Sequence, residues 1–268
     1  MSLLQISDPH FGTEQQPVVD ALARFAVEQR PALVMLSGDI TQRARRGQFR
    51  AARAFVDRLA VPATLAIPGN HDIPLFDLVA RFCAPYANYR RAFGADLEPE
   101  HETADWLVLA LNTTRPKRRK DGELSAEQIE RVAARLARAK PRQLRVVVVH
   151  HPVAVTMGID EDNLLHGHRR AIARWSEAGC DLILGGHIHL PYVLALHERF
   201  PELPRKVWAV QAGTAVSRRL RHEAGNSVNL IRVVAGEPRR CRVERWDYAP
   251  STRRFEAAAA HTLACDAA

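Results

Sequence analysis

Long apolar runs are missing from this 268-residue chain. None approaches the roughly 18 residues that a membrane span requires. The N-terminus has no basic segment leading into an apolar stretch, so no secretory signal is expected and a cytoplasmic location is. Cysteine is scarce: Cys83, Cys180, Cys241 and Cys265 are scattered without a C-x-x-C spacing. That pattern excludes a zinc ribbon and a disulfide scaffold and fits a reducing compartment. Aromatic residues make up 6% of the chain, and no aromatic-interleaved RNA-binding signature occurs. The formal charge of +8 and the pI near 9.8 therefore do not by themselves indicate nucleic acid. The cations are mostly arginine, spread along the chain with no basic tail, and such a surface draws in small anionic substrates. Internal repeats and Gly-, Ser- or Pro-rich linkers are absent too.

What is present is a chain with 47% hydrophobic residues, enough for a sizeable core. Leu3–Ser7, Leu33–Ser37, Thr64–Ile67, Trp106–Leu111, Arg145–His150 and Leu182–Gly185 read as largely buried strands. Between the early ones, Val18–Arg30, Gln48–Leu59, Ser125–Arg138 and Arg169–Ala178 carry apolar residues at helical spacing. Ser125 with Gln128 fits a capping box, and Gly179 fits a helix stop. Val207–Ala212, Val228–Val234 and Arg242–Trp246 follow one another without long helices, which suggests a second sheet packed beside the first. Residues 1–248 read as one α/β domain, and the alanine-rich 249–268 as a frayed tail or terminal helix without chemistry. Two loops are longer than connection requires. Asn112–Leu124 (NTTRPKRRKDGEL) is polybasic, and Ala154–His168 (AVTMGIDEDNLLHGH) is acidic with two histidines. Both are candidate rim segments, although solvated surface accounts for most of their residues. Arg115 is a candidate contact for the non-reacting part of a substrate, with plain solvation the simpler expectation.

Five strands finish in Asp, Asn or His. They are the opening D-P-H (Asp8, His10), then G-D (Asp39), G-N-H-D (Asn70, His71, Asp72), H-H-P (His150, His151) and G-H-I-H (His187, His189). Each cluster alone has a structural account as a turn or a satisfied histidine. Together they lie where open α/β sheets build sites, beyond the carboxyl ends of strands. Two carboxylates, one amide oxygen and four imidazoles make a mixed N/O donor set without thiolate. That set suits Mn²⁺, Fe or Zn²⁺ better than Ca²⁺ or copper(I). Seven donors are too many for one catalytic ion that must admit substrate, but they serve two ions if one carboxylate bridges. Two such ions can hold a hydroxide and the phosphoryl oxygens of an in-line displacement.

The ordered set D-x-H, GD, GNHD, HHP, GHxH, running from Asp8 to His189, resembles the calcineurin-like metallophosphoesterase superfamily. Within it, the length and the HHP motif resemble class III cyclic-nucleotide phosphodiesterases and glycerophosphodiesterases. The resemblance implies a four-layer α-β-β-α sandwich with two mixed sheets. It also implies two divalent metal ions: Asp8, His10, Asp39 and His189 hold the first, and Asp39, Asn70, His150 and His187 the second. His151 becomes supporting structure. His71 becomes the non-ligand histidine that contacts phosphate and protonates the leaving oxygen. The expected partner is a small anionic phosphodiester, with neither nucleic acid nor membrane. A nuclease, a pyrophosphatase of lipid-linked nucleotides and a non-catalytic binding module of the same fold are the alternatives. The chain departs from many relatives at Gln42, where they carry an acid that could orient the catalytic histidine; either Asp72 or another acid substitutes, or His71 acts mainly as a neutral donor. Proline at position 9 is harmless, since a strand ends there.

Overall fold

The computed structural model describes residues 1–221, 224–234 and 239–266. The chain runs β1 (Ser2–Ile6), α1 (Gln16–Gln29), β2 (Leu33–Ser37), α2 (Arg46–Leu59) and β3 (Ala63–Ile67). Short helices α3 (Leu78–Cys83) and α4 (Ala87–Phe93) precede β4 (Glu100–Glu102) and β5 (Trp106–Ala110). Then come α5 (Ala126–Leu136), β6 (Leu144–Val148), α6 (His168–Glu177), β7 (Leu182–Gly185), β8 (Tyr192–Ala195), α7 (Leu196–Arg199) and β9 (Trp208–Gln211). Three antiparallel strands close the chain: β10 (Ser227–Val233), β11 (Arg240–Ala249) and β12 (Arg254–Ala264).

The strands form two six-stranded sheets, in the orders β12-β11-β10-β1-β2-β3 and β4-β5-β6-β7-β9-β8. Both are mixed. β1, β2 and β3 run parallel in one, β5, β6, β7 and β9 in the other, and the remaining strands pair antiparallel. Alternation along each strand decides which layer a side chain enters. Leu4, Ile6, Val34 and Leu36 join a core with α1 and α2. Leu107, Leu109, Val147 and Ile183 join another with α5 and α6. Leu3, Met35, Val108, Val146, Leu184 and Val210 face inward between the sheets. The result is the expected four-layer α-β-β-α sandwich, but the closing strands do not make its second sheet: β10, β11 and β12 extend the sheet of β1, and the middle strands β5, β6 and β7 with β9 build the other. Central strands buried on both faces explain the near-continuous apolar runs in the sequence.

The helices α1, α2, α5 and α6 lie within a few residues of their expected spans. Ser125 caps α5 as read: its hydroxyl accepts from Gln128 N at 3.1 Å while Gln128 Oε1 accepts from Ser125 N at 3.0 Å. Gly179 ends α6 at φ +95°. The alanine-rich end differs from expectation. It is neither frayed nor helical but forms β12, the edge strand laddered along the whole of β11. Alanine favours helix intrinsically, but the partner strand supplies hydrogen bonds. Phe255 and Leu263 at either end of β12 are buried, with Phe255 against Phe25 and Tyr248. Edge strands β4 and β8 carry too few buried residues to stand out in sequence.

Candidate metal centre

The five polar strand ends meet on one side of the sandwich, because β1, β2, β3, β6 and β7 all deliver their carboxyl ends there. The turns that follow are tight. Asp8, His10, Asp39, His187 and His189 all have positive φ, between 44° and 72°. They are five of the ten non-glycine residues in that region among the described residues. Each such residue costs about 1–2 kcal/mol relative to ordinary backbone, so the fold concentrates strain where it turns these side chains inward. Close approach is enforced as well. A Cβ on Gly69 would sit 2.1 Å from Asp39 N and 2.8 Å from His150 Nε2. One on Gly186 would sit 1.9 Å from Ser7 Oγ.

The donors converge in two overlapping sets. Around Asp8 Oδ1 lie His189 Nε2 at 3.3 Å and His10 Nε2 at 3.8 Å, and the two ring nitrogens are 3.1 Å apart. Asp39 reaches both ways: Oδ2 is 3.7 Å from His10 Nε2 and Oδ1 is 3.3 Å from His150 Nε2. Asp8, His10 and His189 form one triplet whose ligand atoms lie within 4.8 Å of one another, and Asp8, Asp39 and His150 form another. Asp8 Oδ1, His10 Nδ1, Asn70 Oδ1, His150 Nε2 and His187 Nδ1 are buried without any hydrogen-bond partner. Native proteins rarely leave so many buried polar atoms unmatched. His150 Nδ1 donates to Ser37 O at 2.9 Å and His189 Nδ1 to Arg219 O at 2.7 Å, which directs each Nε2 at the centre, where its lone pair would bind a metal that displaces the proton.

Charge points the same way. Burial works to raise Asp8, but His189 and its neighbours hold the carboxyl well below its ordinary range. Asp39 is likewise held low against burial, chiefly by His150. Burial pushes His10 and His187 down to about 3, so both are neutral donors. His150, despite burial, is drawn up to about 9 by Asp39. His189 is raised by Asp8. Two buried carboxylates thus pull protons onto two histidines, and a divalent cation meets the same demand. The donor set fits metal.

The calcineurin-like phosphoesterase family model matches residues 1–191. The chain belongs to that family. A probable cyclic nucleotide phosphodiesterase of Synechococcus is 28% identical over 207 residues, covering 72% of this chain and 75% of that one. Among solved structures, a dimetal phosphatase from Danio rerio superposes with TM-score 0.69 at 12% identity, over 99% of both chains. A purple acid phosphatase from yellow lupin seeds gives TM-score 0.71 at 10% identity. That match covers 98% of this chain, which spans about half (53%) of the lupin protein. No helix among the described residues is long and apolar enough to cross a membrane.

A cavity of about 520 Å³ opens above the phosphoesterase centre, lined by Asp39, Asn70, His71, His187, His189 and Arg219 among others. His71 stands at its edge, with its backbone N–H on Asp39 Oδ1 at 2.7 Å. Among the described residues no acid orients its ring: Nδ1 donates to the backbone carbonyl of Gln42 at 2.9 Å. Asp72 does not take the place of the missing acid. Its carboxylate accepts from Ile40 N, Thr41 N, Thr41 Oγ1 and Gly69 N at 2.7–2.9 Å, which ties the GDIT turn to the GNHD turn. His151 sits in a triplet with His150 and His187. Both its ring nitrogens are engaged, with Thr113 Oγ1 at 2.8 Å and Lys120 O at 2.9 Å.

Arg115 does not line this cavity, nor is it merely solvated. Its guanidinium bonds Asn112 O, Thr114 O and Gln128 Oε1 and so fastens its own loop to α5. The residue missed in the sequence is Arg219. Its Nη1 lies 3.0 Å from His71 Nε2 and 3.1 Å from Gln42 Oε1, while its carbonyl orients His189. It belongs to an arginine-rich stretch after β9 that matches no motif, and only folding brings it to the cavity.

Proposed function

We propose that this phosphoesterase hydrolyses small phosphodiesters, of the cyclic-nucleotide or glycerophosphodiester kind, with two divalent ions (Mn²⁺, Fe or Zn²⁺) resident at the centre. The observation that carries this reading is the position of Asp39, whose two oxygens face His10 on one side and His150 on the other. Asp8, His10, Asp39 and His189 would hold one ion, and Asp39, Asn70, His150 and His187 the other. Bound there, such ions acidify water and neutralise charge on phosphoryl oxygens. The similarity to a probable cyclic nucleotide phosphodiesterase supports the diester preference.

The chain's own residues supply the rest. Arg219 Nη1, now on His71 Nε2, is placed to donate to a non-bridging phosphoryl oxygen, a charge-assisted bond. That contact frees His71 Nε2. A protonated His71 can then pass its Nε2 proton to the leaving ester oxygen while Nδ1–H stays on Gln42 O. The protons balance: the attacking water gives one proton to solvent as its oxygen bonds phosphorus, the P–O ester bond breaks, the alkoxide takes the His71 proton and leaves as an alcohol, and solvent returns a proton to His71. A carbonyl suits this task because it fixes the ring without requiring a charge at position 42.

The test is release of nitrophenolate from bis(p-nitrophenyl) phosphate with Mn²⁺, beside metal counting on the same sample. Two ions per chain and diester turnover are expected, with both lost in Asp39→Asn. Silence across Mn²⁺, Fe²⁺ and Zn²⁺ would reject the phosphodiesterase reading.

A further inference from the structure

The cavity holds more positive charge than one phosphodiester can use. Arg43, Arg119 and Arg219 line it. Several arginines of this chain pair with acids: Arg118 with Glu123, Arg135 with Glu100 and Glu102, Arg174 with Glu130. The cavity arginines differ. Arg219 contacts Gln42 and His71. Among the described residues the Arg43 guanidinium reaches the Gln42 carbonyl at 3.4 Å and lies 5.8 Å over the Phe76 ring. Arg119 makes no ion pair among the described residues, although Arg118 beside it does. Lys120 also lines this cavity, but it borders a second one that carries Asp121, Glu161 and Asp162. The arginines therefore carry the argument.

Arg119 is not on a loose loop. Arg81, a buried side chain, donates from Nη2 to Arg118 O and from Nε to Pro116 O, both at 2.8 Å. The His151 ring holds Lys120 O at 2.9 Å. A Cβ on Gly122 would strike that ring at 2.1 Å, so the loop packs directly upon it. Arg119 stands between two anchored carbonyls and faces the site. Like charges held together in a concave cavity raise its potential and favour an anion. Arg219, beside His71, serves the reacting phosphoryl group, which leaves Arg43 and Arg119 without a task.

We propose that the substrate is a phosphodiester bearing a second anionic group, a phosphoryl or carboxylate, on the part that is not cleaved, and that Arg43 and Arg119 bind that group. The inference rests on the phosphodiesterase reading for the chemistry, but its binding part can be tested apart from it.

The kinetic experiment compares adenosine 2′,3′-cyclic phosphate with the same compound carrying a 5′-phosphate. Two partly exposed arginines on a phosphoryl group should lower KM about tenfold for the 5′-phosphorylated compound, less at high salt. In the double variant Arg43→Ala/Arg119→Ala the KM ratio should fall to within about twofold of one. A third substrate with a 5′-carboxylate separates a phosphoryl site from a general anion site. Alongside, calorimetry on the full chain without added metal compares adenosine 3′,5′-bisphosphate with adenosine 5′-monophosphate. The bisphosphate should bind more tightly, and the difference should vanish in the double variant. Equal KM values and equal affinities overturn the proposal while leaving the phosphodiesterase reading intact. Absent turnover with a bisphosphate preference that needs both arginines does the reverse.

Discussion

Asp72 ligates nothing in the proposed scheme, yet its removal should loosen the whole centre. Its carboxylate accepts four hydrogen bonds, three of them from the backbone N–H groups of Ile40, Thr41 and Gly69. Those donors flank Asp39 and Asn70, so one side chain sets the relative position of two ligand turns. Asp72→Ala leaves three buried N–H groups without acceptors, each worth about 1–3 kcal/mol. Two effects reduce the sum. Water can refill part of the space, and burial, with the charge of Asp39 behind it, already pushes the Asp72 carboxyl up to about 7. Relieving that unfavourable ionisation returns some free energy, so a net loss of about 3–5 kcal/mol is expected. Asp72→Asn keeps one oxygen but turns an NH₂ towards the other donors, and should lose about 2–3 kcal/mol. Urea unfolding of the full chain in chelator measures both, and metal counting on the folded protein shows whether the turns still present their donors. A loss under about 1 kcal/mol for Asp72→Ala would refute the accounting of orphaned donors. Unchanged metal uptake in that variant would refute the coupling of the two turns.

Three further outcomes follow from the same geometry. In chelator, His150 has a folded pKa of about 9 against an ordinary 6.5, because Asp39 outweighs burial. A raised histidine stabilises fully below 6.5 and loses that stabilisation as pH climbs through 9. The urea midpoint should therefore fall between pH 7 and 9, and the fall should shrink in His150→Gln, where the raised His189 remains, and disappear with Mn²⁺ added; a flat profile in chelator would contradict it. Gly69→Ala places a methyl against backbone at 2.1 Å, so metal binding and diesterase activity should both vanish while Gly47→Ala, in open space, retains both. Arg219→Ala should lower kcat/KM for diesters about 100-fold, as loss of a charged phosphoryl contact does, with metal stoichiometry kept at two because the carbonyl that holds His189 remains; a loss of metal would refute the assignment of the side chain to the phosphoryl group.

The strands and main helices were legible because binary patterning follows secondary-structure period, and the parallel core strands are apolar on both faces. The donor list was legible because each donor follows a strand of the predicted α/β pattern, and such strand ends share one side of a sheet. β12 was not legible: its alanines favour helix, and only the exposed edge of β11 makes a strand the better outcome. Neither was the orientation of His71, since a backbone carbonyl leaves no trace in the sequence and Gln42 there reads as the loss of an acid. Arg219 and Arg119 look like any of the chain's other arginines until folding separates those with carboxylate neighbours from those without. The order of residues alone thus determined which chemical groups the protein owns and which layer each strand residue enters, because both depend on local identity and spacing. Which charges stay unmatched, and which atoms face one another across the sheets, the tertiary structure decided, because those depend on distances between residues far apart in the chain.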